Sequence, residues 1–276
     1  MLCAGRVYCD LVFSGIERLP TLGTEVFADE LSLHGGGGAW ITAAWLAGLG
    51  RPASVCATLP APPFDALLRI EAERSGVSLA HSCTARSKEP QLTIAMVAGG
   101  DRAFLSRRPG PGLPDDPVTA LTGSGSTHLH ISELATLLEY PELPSAARRA
   151  GLSVSLDCGW DEAALNRDDL ATHLQHIDVF LPNEAEHAAL APAALARLPL
   201  VVIKRGAAGA TVLTNGECLE ASTEALEPLD TTGAGDAFDA GFLHAWLDGL
   251  PLPDALALGN RCGARAVMQR GGGCRR

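Results

Sequence analysis

Asp230 to Phe242 reads DTTGAGDAFDAGF, and its residue types could do chemistry together. An acidic residue and two threonines lead into Gly233-Ala234-Gly235, and Asp236 then opens a helical pattern. Phe238, Phe242, Ala245 and Trp246 recur in it at helical spacing. Small residues let the backbone bend tightly, so that successive N–H groups face one point. Together with the dipole of a helix N-terminus, those amides make an anion site. A carboxylate beside such a site is electrostatically unfavourable unless it acts on what sits there. Accepting a proton from a hydroxyl that attacks a bound phosphoryl group is an action of that kind. The same residues also read as a plain glycine-rich turn with an acid in the first turn of a helix.

Three other strings carry weaker signals. Gly35-Gly36-Gly37-Gly38-Ala39 opens a helical stretch that ends in Ala47-Gly48-Leu49-Gly50, and alone it is a flexible glycine loop. Asn183-Glu184-Ala185-Glu186 follows an apolar run, and by itself it is a capping box. Lys204-Arg205-Gly206 ends another apolar run, where the lysine could be a solvated surface charge.

The elements that must position these residues alternate. Strand candidates are Val7–Phe13, Ser54–Thr58, Leu92–Val97, Thr127–Ile131, Ser153–Asp157, Asp178–Leu181, Leu200–Ile203 and Ala210–Thr214. Helical patterns cover Ala39–Leu49, Phe64–Ser75, Ser145–Ala150, Asp168–His176, Glu184–Leu190, Ala234–Leu247 and Asp254–Met268. Runs such as Leu200-Val201-Val202-Ile203 are apolar throughout, as strands covered on both faces are. The expected fold is a three-layer α/β/α sandwich on a mostly parallel central sheet. Stretches 14–34 and 91–107 break the rhythm and predict a small β-flap over one domain of residues 1–276. The Asn215-Gly216 pair predicts a hairpin turn. Ligands of an open parallel sheet bind beyond the carboxyl ends of its strands. This strand assignment puts Asp10, Asp157, Asn183, Lys204 and the 230–236 turn there.

The 230–242 string closely resembles the C-terminal signature of the ribokinase-like (PfkB) family of carbohydrate and nucleoside kinases, and the resemblance extends along most of the chain. It implies transfer of a phosphoryl group from ATP to a hydroxyl of a sugar or sugar-like molecule. Asp236 then matches the catalytic base, and Gly233, Ala234 and Gly235 match the anion hole. Asp10, Gly36 and Gly37 match the sugar-binding residues, with Glu133 at a position that touches sugar hydroxyls. Asp157, Asn183, Glu186, Lys204, Gly206 and Asn260 match the nucleotide side, where Glu186 would organise Mg²⁺ through water. Asp230 resembles a position near a monovalent-cation site, which implies K⁺ as a further cofactor. Family members often pair through their flaps, which implies a homodimer.

Two departures stand out. The family usually has asparagine after the small-residue run where this chain has Trp40, so either the acceptor pocket is reshaped or the indole packs into the helix. The tail Gly271-Gly272-Gly273-Cys274-Arg275-Arg276 is shorter than is usual, so part of the nucleotide wall is expected to be missing, disordered or supplied differently. A nucleoside acceptor, with Trp40 stacked on the base, and a catalytically weak sugar- or nucleotide-sensing protein are the alternatives.

Composition narrows the rest. The net charge of −11 speaks against a nucleic-acid partner, which needs clustered Lys and Arg. Eight cysteines include no CxxC pair and predict buried thiols of a reducing compartment. No signal-peptide pattern is apparent, and the most apolar stretch, Ala188 to Ile203, is broken by Pro192, Arg197 and Pro199. A cytoplasmic protein without membrane contact is expected. No GxxxxGK[ST] loop, HExxH or GxSxG is present, and His128, His130, His173 and His176 read as packing or surface residues, the last two on one helix face.

Overall fold

Leu2-Cys3-Ala4 is a three-residue strand, buried at every position and paired in parallel on both sides, with Ser54–Cys56 and with His128–Ile131. In the computed structural model, which describes residues 1–86, 90–98, 101–214 and 216–274, this short strand anchors an eight-stranded sheet. Beyond His128–Ile131 the sheet continues in parallel through Ser153–Asp157, Val179–Leu181 and Val201–Lys204. Ala210–Thr214 and Glu217–Ala221 close it as an antiparallel edge. Asn215, half of the expected hairpin turn between those two strands, lies outside the described residues.

Alternate side chains of each strand enter different cores. Leu2, Leu129, Leu156, Phe180 and Ile203 pack with Leu134, Leu137, Leu143 and Leu170. Cys3 and Val55 pack with Trp40, Trp45 and Ala237, while Val179 and Val202 pack with Phe238, Phe242 and Leu256. Helices therefore cover both faces, which is the expected three-layer α/β/α sandwich. The second face belongs to three long helices, Gly38–Gly48, Ala234–Leu247 and Leu252–Ala266.

The flap is a separate four-stranded sheet in the order Glu30–Gly36, Tyr8–Ile16, Leu92–Ala98, Asp101–Arg107. Its extent corrects the sequence analysis. Val7–Phe13 does not form the first core strand; that place is taken by Leu2–Ala4, and the chain enters the flap at Tyr8 rather than at residue 14. Residues 17–29 add no strand, so the flap is not continuous from 14 to 34. Of the 91–107 stretch, residues 99–100 lie outside the described residues. Asp10 accordingly stands on a flap strand and not at the carboxyl end of a core strand.

Register gives the flap two unlike faces. Asp10 pairs with His34 and with Thr93, and Thr93 with Ser106, so these polar residues share one face. Leu11 pairs with Leu33 and Ile94, Phe13 with Leu31, and Ile94 with Leu105 on the other. The apolar face is open: Leu33 is 45% exposed and Leu105 64%.

Elsewhere the expected Asp168–His176 helix shrinks to Leu170–His173, because Asp168 and Asp169 start it late and His176 takes a left-handed φ of 71°. His173 and His176 therefore share no helix face. His128 and His130 are fully buried, joined through the Ser155 hydroxyl at 2.8 and 2.9 Å. Among the described residues no helix is long and apolar enough to cross a membrane.

Candidate active site

Gly233 is the N-cap of the Ala234–Leu247 helix and takes a left-handed φ of 72°. A Cβ there would stand 2.7 Å from the Gly272 Cα, so glycine is required by both conformation and space. The first-turn amides of this helix have no intrahelical partner. Ala234 N–H reaches back to the Thr231 carbonyl at 3.3 Å, and the Asp236 carboxyl accepts from its own amide. Burial, followed by the negative charge of Asp157, lifts the Asp236 pKa to about 7.

The glycine run connects this turn to Asp10. The Asp10 carboxyl lies directly against Gly36, in the space a side chain there would fill. Two residues on, a Cβ on Gly38 would meet Asp236 Oδ1 at 2.8 Å. Between them Gly37 has a φ of 90° and runs against the Arg6 backbone. Two carboxyls thus flank a short stretch of bare backbone. Burial lifts the Asp10 pKa to about 7, a hydrogen bond with Thr93 pulls it partly back, and the charges of Glu71 and Asp230 raise it further. Glu133 is the N-cap residue of Leu134–Glu139 and spends Oε1 on Arg6 N–H and the Thr136 hydroxyl, at 3.3 and 2.7 Å.

On the opposite side of Asp236, Lys204 ends its strand with the ammonium 2.7 Å from Asp157 Oδ1 and 3.1 Å from Asp239 Oδ2. Burial works to lower the lysine pKa, but Asp157, Asp239 and Glu186 outweigh it and hold the ammonium well above its usual range. The Lys204 chain lies along Gly235, its Nζ 3.5 Å from where a Cβ would be. Asn183 and Glu186 form a complete capping box: Asn183 Oδ1 accepts from Glu186 N–H at 2.9 Å, and Glu186 Oε2 accepts from Asn183 N–H at 2.7 Å. Burial and then Asp157 raise the Glu186 pKa.

A cavity of about 330 Å³ opens beside the turn, lined by Lys204, Gly206, Ala234, Gly235, Phe238 and Asn260 among others. Its walls are largely apolar, and Asn260 braces one of them by donating to the Ala221 and Ser222 carbonyls at 3.0 and 3.2 Å. The cavity adjoins the amide turn, and the glycine run links Asp236 of that turn to Asp10, so the four together make one candidate cleft. Such a cleft suits an apolar ring at one end, a polyanion in the middle and a hydroxylated molecule at the other.

Residues 17–274 match the model of the pfkB family carbohydrate kinases. The chain belongs to that family. Transfer of a phosphoryl group from ATP to a carbohydrate hydroxyl is therefore its class of reaction. Curated relatives include an ATP-dependent ribose-1-phosphate kinase of Halopiger xanaduensis, 28% identical over 98% of this chain and 93% of that one. Among solved structures, a putative ribokinase II from E. coli in complex with ATP and Mg²⁺ superposes with a TM-score of 0.80 at 22% identity, covering 98% of this chain and 93% of that one. A nucleoside kinase of Methanocaldococcus jannaschii does so with 0.83 at 18% identity, covering 98% and 92%. These superpositions show the ribokinase fold.

Within this pfkB chain, Trp40 packs into the helix side. It is 1% exposed, sits in the core with Trp45 and Leu46, and lays its indole nitrogen against Gly35 with no hydrogen-bond partner among the described residues. It lines a different cavity, about 500 Å³, together with His34, Glu71, Arg74 and Arg270, which contains neither Asp10 nor Asp236. Among the described residues, 271–274 do not line the cavity beside the amide turn: Gly272 accepts from the Trp45 indole at 2.9 Å, and Gly271 N–H donates to Asp230 Oδ2 at 2.9 Å. The remaining Asp230 oxygen accepts from Thr232 N–H at 2.8 Å.

Sequence reasoning missed Asp239. It is fully buried one helical turn after Asp236, and its signal was the i, i+3 spacing of two acids on one face. Mg²⁺ is implied by the family, and the donor chemistry fits: Glu186 is a hard oxygen donor beside Asp157, and Mg²⁺ takes one or two carboxylates along with phosphates and water.

Proposed function

We propose that this chain transfers the γ-phosphoryl group of ATP to a hydroxyl of a sugar or sugar-like molecule lying on Gly36 and Gly37. Asp10 accepts hydrogen bonds from two acceptor hydroxyls, and Glu133 reaches a third. The reacting hydroxyl points at Asp236, which takes its proton as the oxygen attacks phosphorus and the bond to the β-phosphate oxygen breaks. The 233–236 amides stabilise the charge that spreads over the transferred group. Asp157, Asn183, Lys204, Gly206 and Asn260 hold the nucleotide. Mg²⁺, held by the phosphates and through water by Glu186, would supply further positive charge there, and Asp230 marks the place where K⁺ would act.

One observation carries this reading: Asp10 and Asp236 lie against the same run of bare backbone, one against Gly36 and the other against Gly38. A side chain at either glycine would fill the space an acceptor needs. The burial of Trp40 removes the residue that would have stacked on a nucleoside base, which favours a free sugar acceptor. The polar face of the flap carries Asp10, so the flap serves as a lid, and its open apolar face favours cover by a second copy.

A panel of sugars, sugar phosphates and nucleosides, assayed by ADP release with the product identified by mass, tests the reading. A sugar-class acceptor gaining one phosphoryl group is the expected result. ATP binding without transfer to any member of the panel would favour the sensing alternative.

A further inference from the structure

Of the 21 basic residues in the chain only two are lysines, Lys88 and Lys204, and the other 19 are arginines. One of the two stands in the cleft, at a point where arginine would not serve. A guanidinium is a wide planar fork, whereas an ammonium is compact and offers three donors. Lys204 spends one donor on Asp157 Oδ1 at 2.7 Å and another on Asp239, whose two oxygens lie at 3.2 and 3.1 Å. The third remains. With the lysine stem along Gly235, that donor is available to the amide turn and the cavity beside it.

Asp239 is 0% exposed, so it touches neither acceptor nor nucleotide. Its place on the Ala234–Leu247 helix, three residues after Asp236, ties the lysine to the same rigid element that carries the amide turn. Asp157 comes from a core strand, so the ammonium is gripped from sheet and helix together. A flexible four-carbon stem held at one point would sweep the cleft; held at two, its third N–H has one direction left.

We propose that Asp239 is a positioning residue acting through Lys204: together with Asp157 it clamps the ammonium against Gly235, so that the remaining N–H meets the phosphate chain of the bound nucleotide. This rests on the kinase reading above. The clamp needs an oxygen acceptor at residue 239 and not its charge, since the ammonium supplies the proton.

The test combines turnover with a signal that needs no turnover. Lys204→Met should lower kcat by about 10²-fold, the usual cost of losing one donor to the transferred group. Asp239→Ala should lower kcat by about tenfold with little change in the KM for ATP, while Asp239→Asn, which keeps an acceptor, stays within about threefold of the parent. In a Lys204→Met background Asp239→Ala should cost nothing more, because its effect runs through the lysine. Equal losses in both backgrounds would overturn the proposal, as would an alanine variant as active as the parent. Should the alanine cavity unfold the chain, Asp239→Leu makes the same comparison at conserved volume. In ε-¹³C-lysine-labelled protein, the signal missing from Lys204→Met identifies Lys204, and Mg–ADP should shift it in the parent and in Asp239→Asn. An unmoved signal in an active kinase overturns the clamp. A shifted signal in a protein that phosphorylates nothing on the panel refutes the kinase reading and leaves the clamp standing.

Discussion

The two ends of the cleft are made of different structure. At the phosphoryl end, Asp157 and Lys204 stand at the carboxyl ends of core strands, and Asp236 stands in the first turn of a long buried helix. At the acceptor end, Asp10 stands on a flap strand held mainly by its antiparallel and parallel neighbours. The first end is rigid because the core of the molecule holds it. The second depends on a thin sheet with one unburied face. On the proposed reading, chemistry that every substrate shares rests on the core, and recognition of a particular acceptor rests on the thinner flap.

The largest expected effect lies at the rigid end. Asp236→Asn keeps the shape and removes the proposed base, so turnover should fall by about 10²–10⁴ while ATP affinity, read by calorimetry, persists. The same carboxyl sets the pH dependence. Burial raises its pKa to about 7, so below that pH the proton it must accept is already in place. The kcat/KM should fall at least tenfold per pH unit beneath pH 7, and the limb should become shallower in the asparagine variant, where only Asp10 still titrates there. The sign for stability is opposite. A carboxyl with a raised folded-state pKa binds its proton more tightly when folded, so its contribution is present at low pH and lost as pH rises through about 7. Activity in the parent should thus climb through the window in which the melting temperature of the nucleotide-free protein declines. A flat pH profile would remove Asp236 from the role of base.

At the other end, Gly36→Ala puts a methyl group into the space of the Asp10 carboxyl. Displacing a charged hydrogen-bond acceptor costs about 1.5–3 kcal/mol, which corresponds to a rise of about 10- to 150-fold in the KM for the acceptor. ATP binding should be unaffected. If the variant weakens ATP and acceptor alike, the two ends are not separate and the contrast between them fails.

How much of this the residues reveal follows the same division. The Ala234–Leu247 helix and the strands Ser153–Asp157 and Ala210–Thr214 are legible to the residue, because their signals are local: a glycine turn, an apolar run, a periodic face. Lys204, Gly206, Gly235 and Asn260 come together in the cavity beside the turn, as expected of strand ends and the last helix. Asp10 is found with Gly36 for a different reason from the one the strand assignment supplies. Three buried residues, Leu2–Ala4, are too few to show a pattern, so the first core strand is assigned to the longer β-branched run that follows. Register between flap strands is likewise not written in any one of them. Trp40 and Asp239 illustrate the remaining gap: whether an indole or an acid on a helix faces cleft or core depends on what packs against it.

The smallest effect concerns the open face of the flap. Leu33, nearly half exposed, sits in a row with Leu11 and Ile94 on the side of the sheet opposite Asp10. If a second copy covers that row, the parent should sediment as a dimer, and Leu33→Lys should weaken association by about 30-fold or more, the measure of losing a central contact worth about 2 kcal/mol. Catalysis should change far less. Asp236, Lys204 and the nucleotide cavity are held by the core and do not sense the flap's outer face, so ATP affinity should remain at the parental value. Asp10 shares its sheet with Leu33, so the KM for the acceptor should rise only as far as an uncovered flap loosens, within about fivefold on the scale of a tightened or relaxed side-chain contact. A parent that sediments as a monomer at tens of micromolar removes the second copy from the picture. A Leu33→Lys variant that loses ATP affinity along with dimerisation would mean that the flap supports both ends of the cleft.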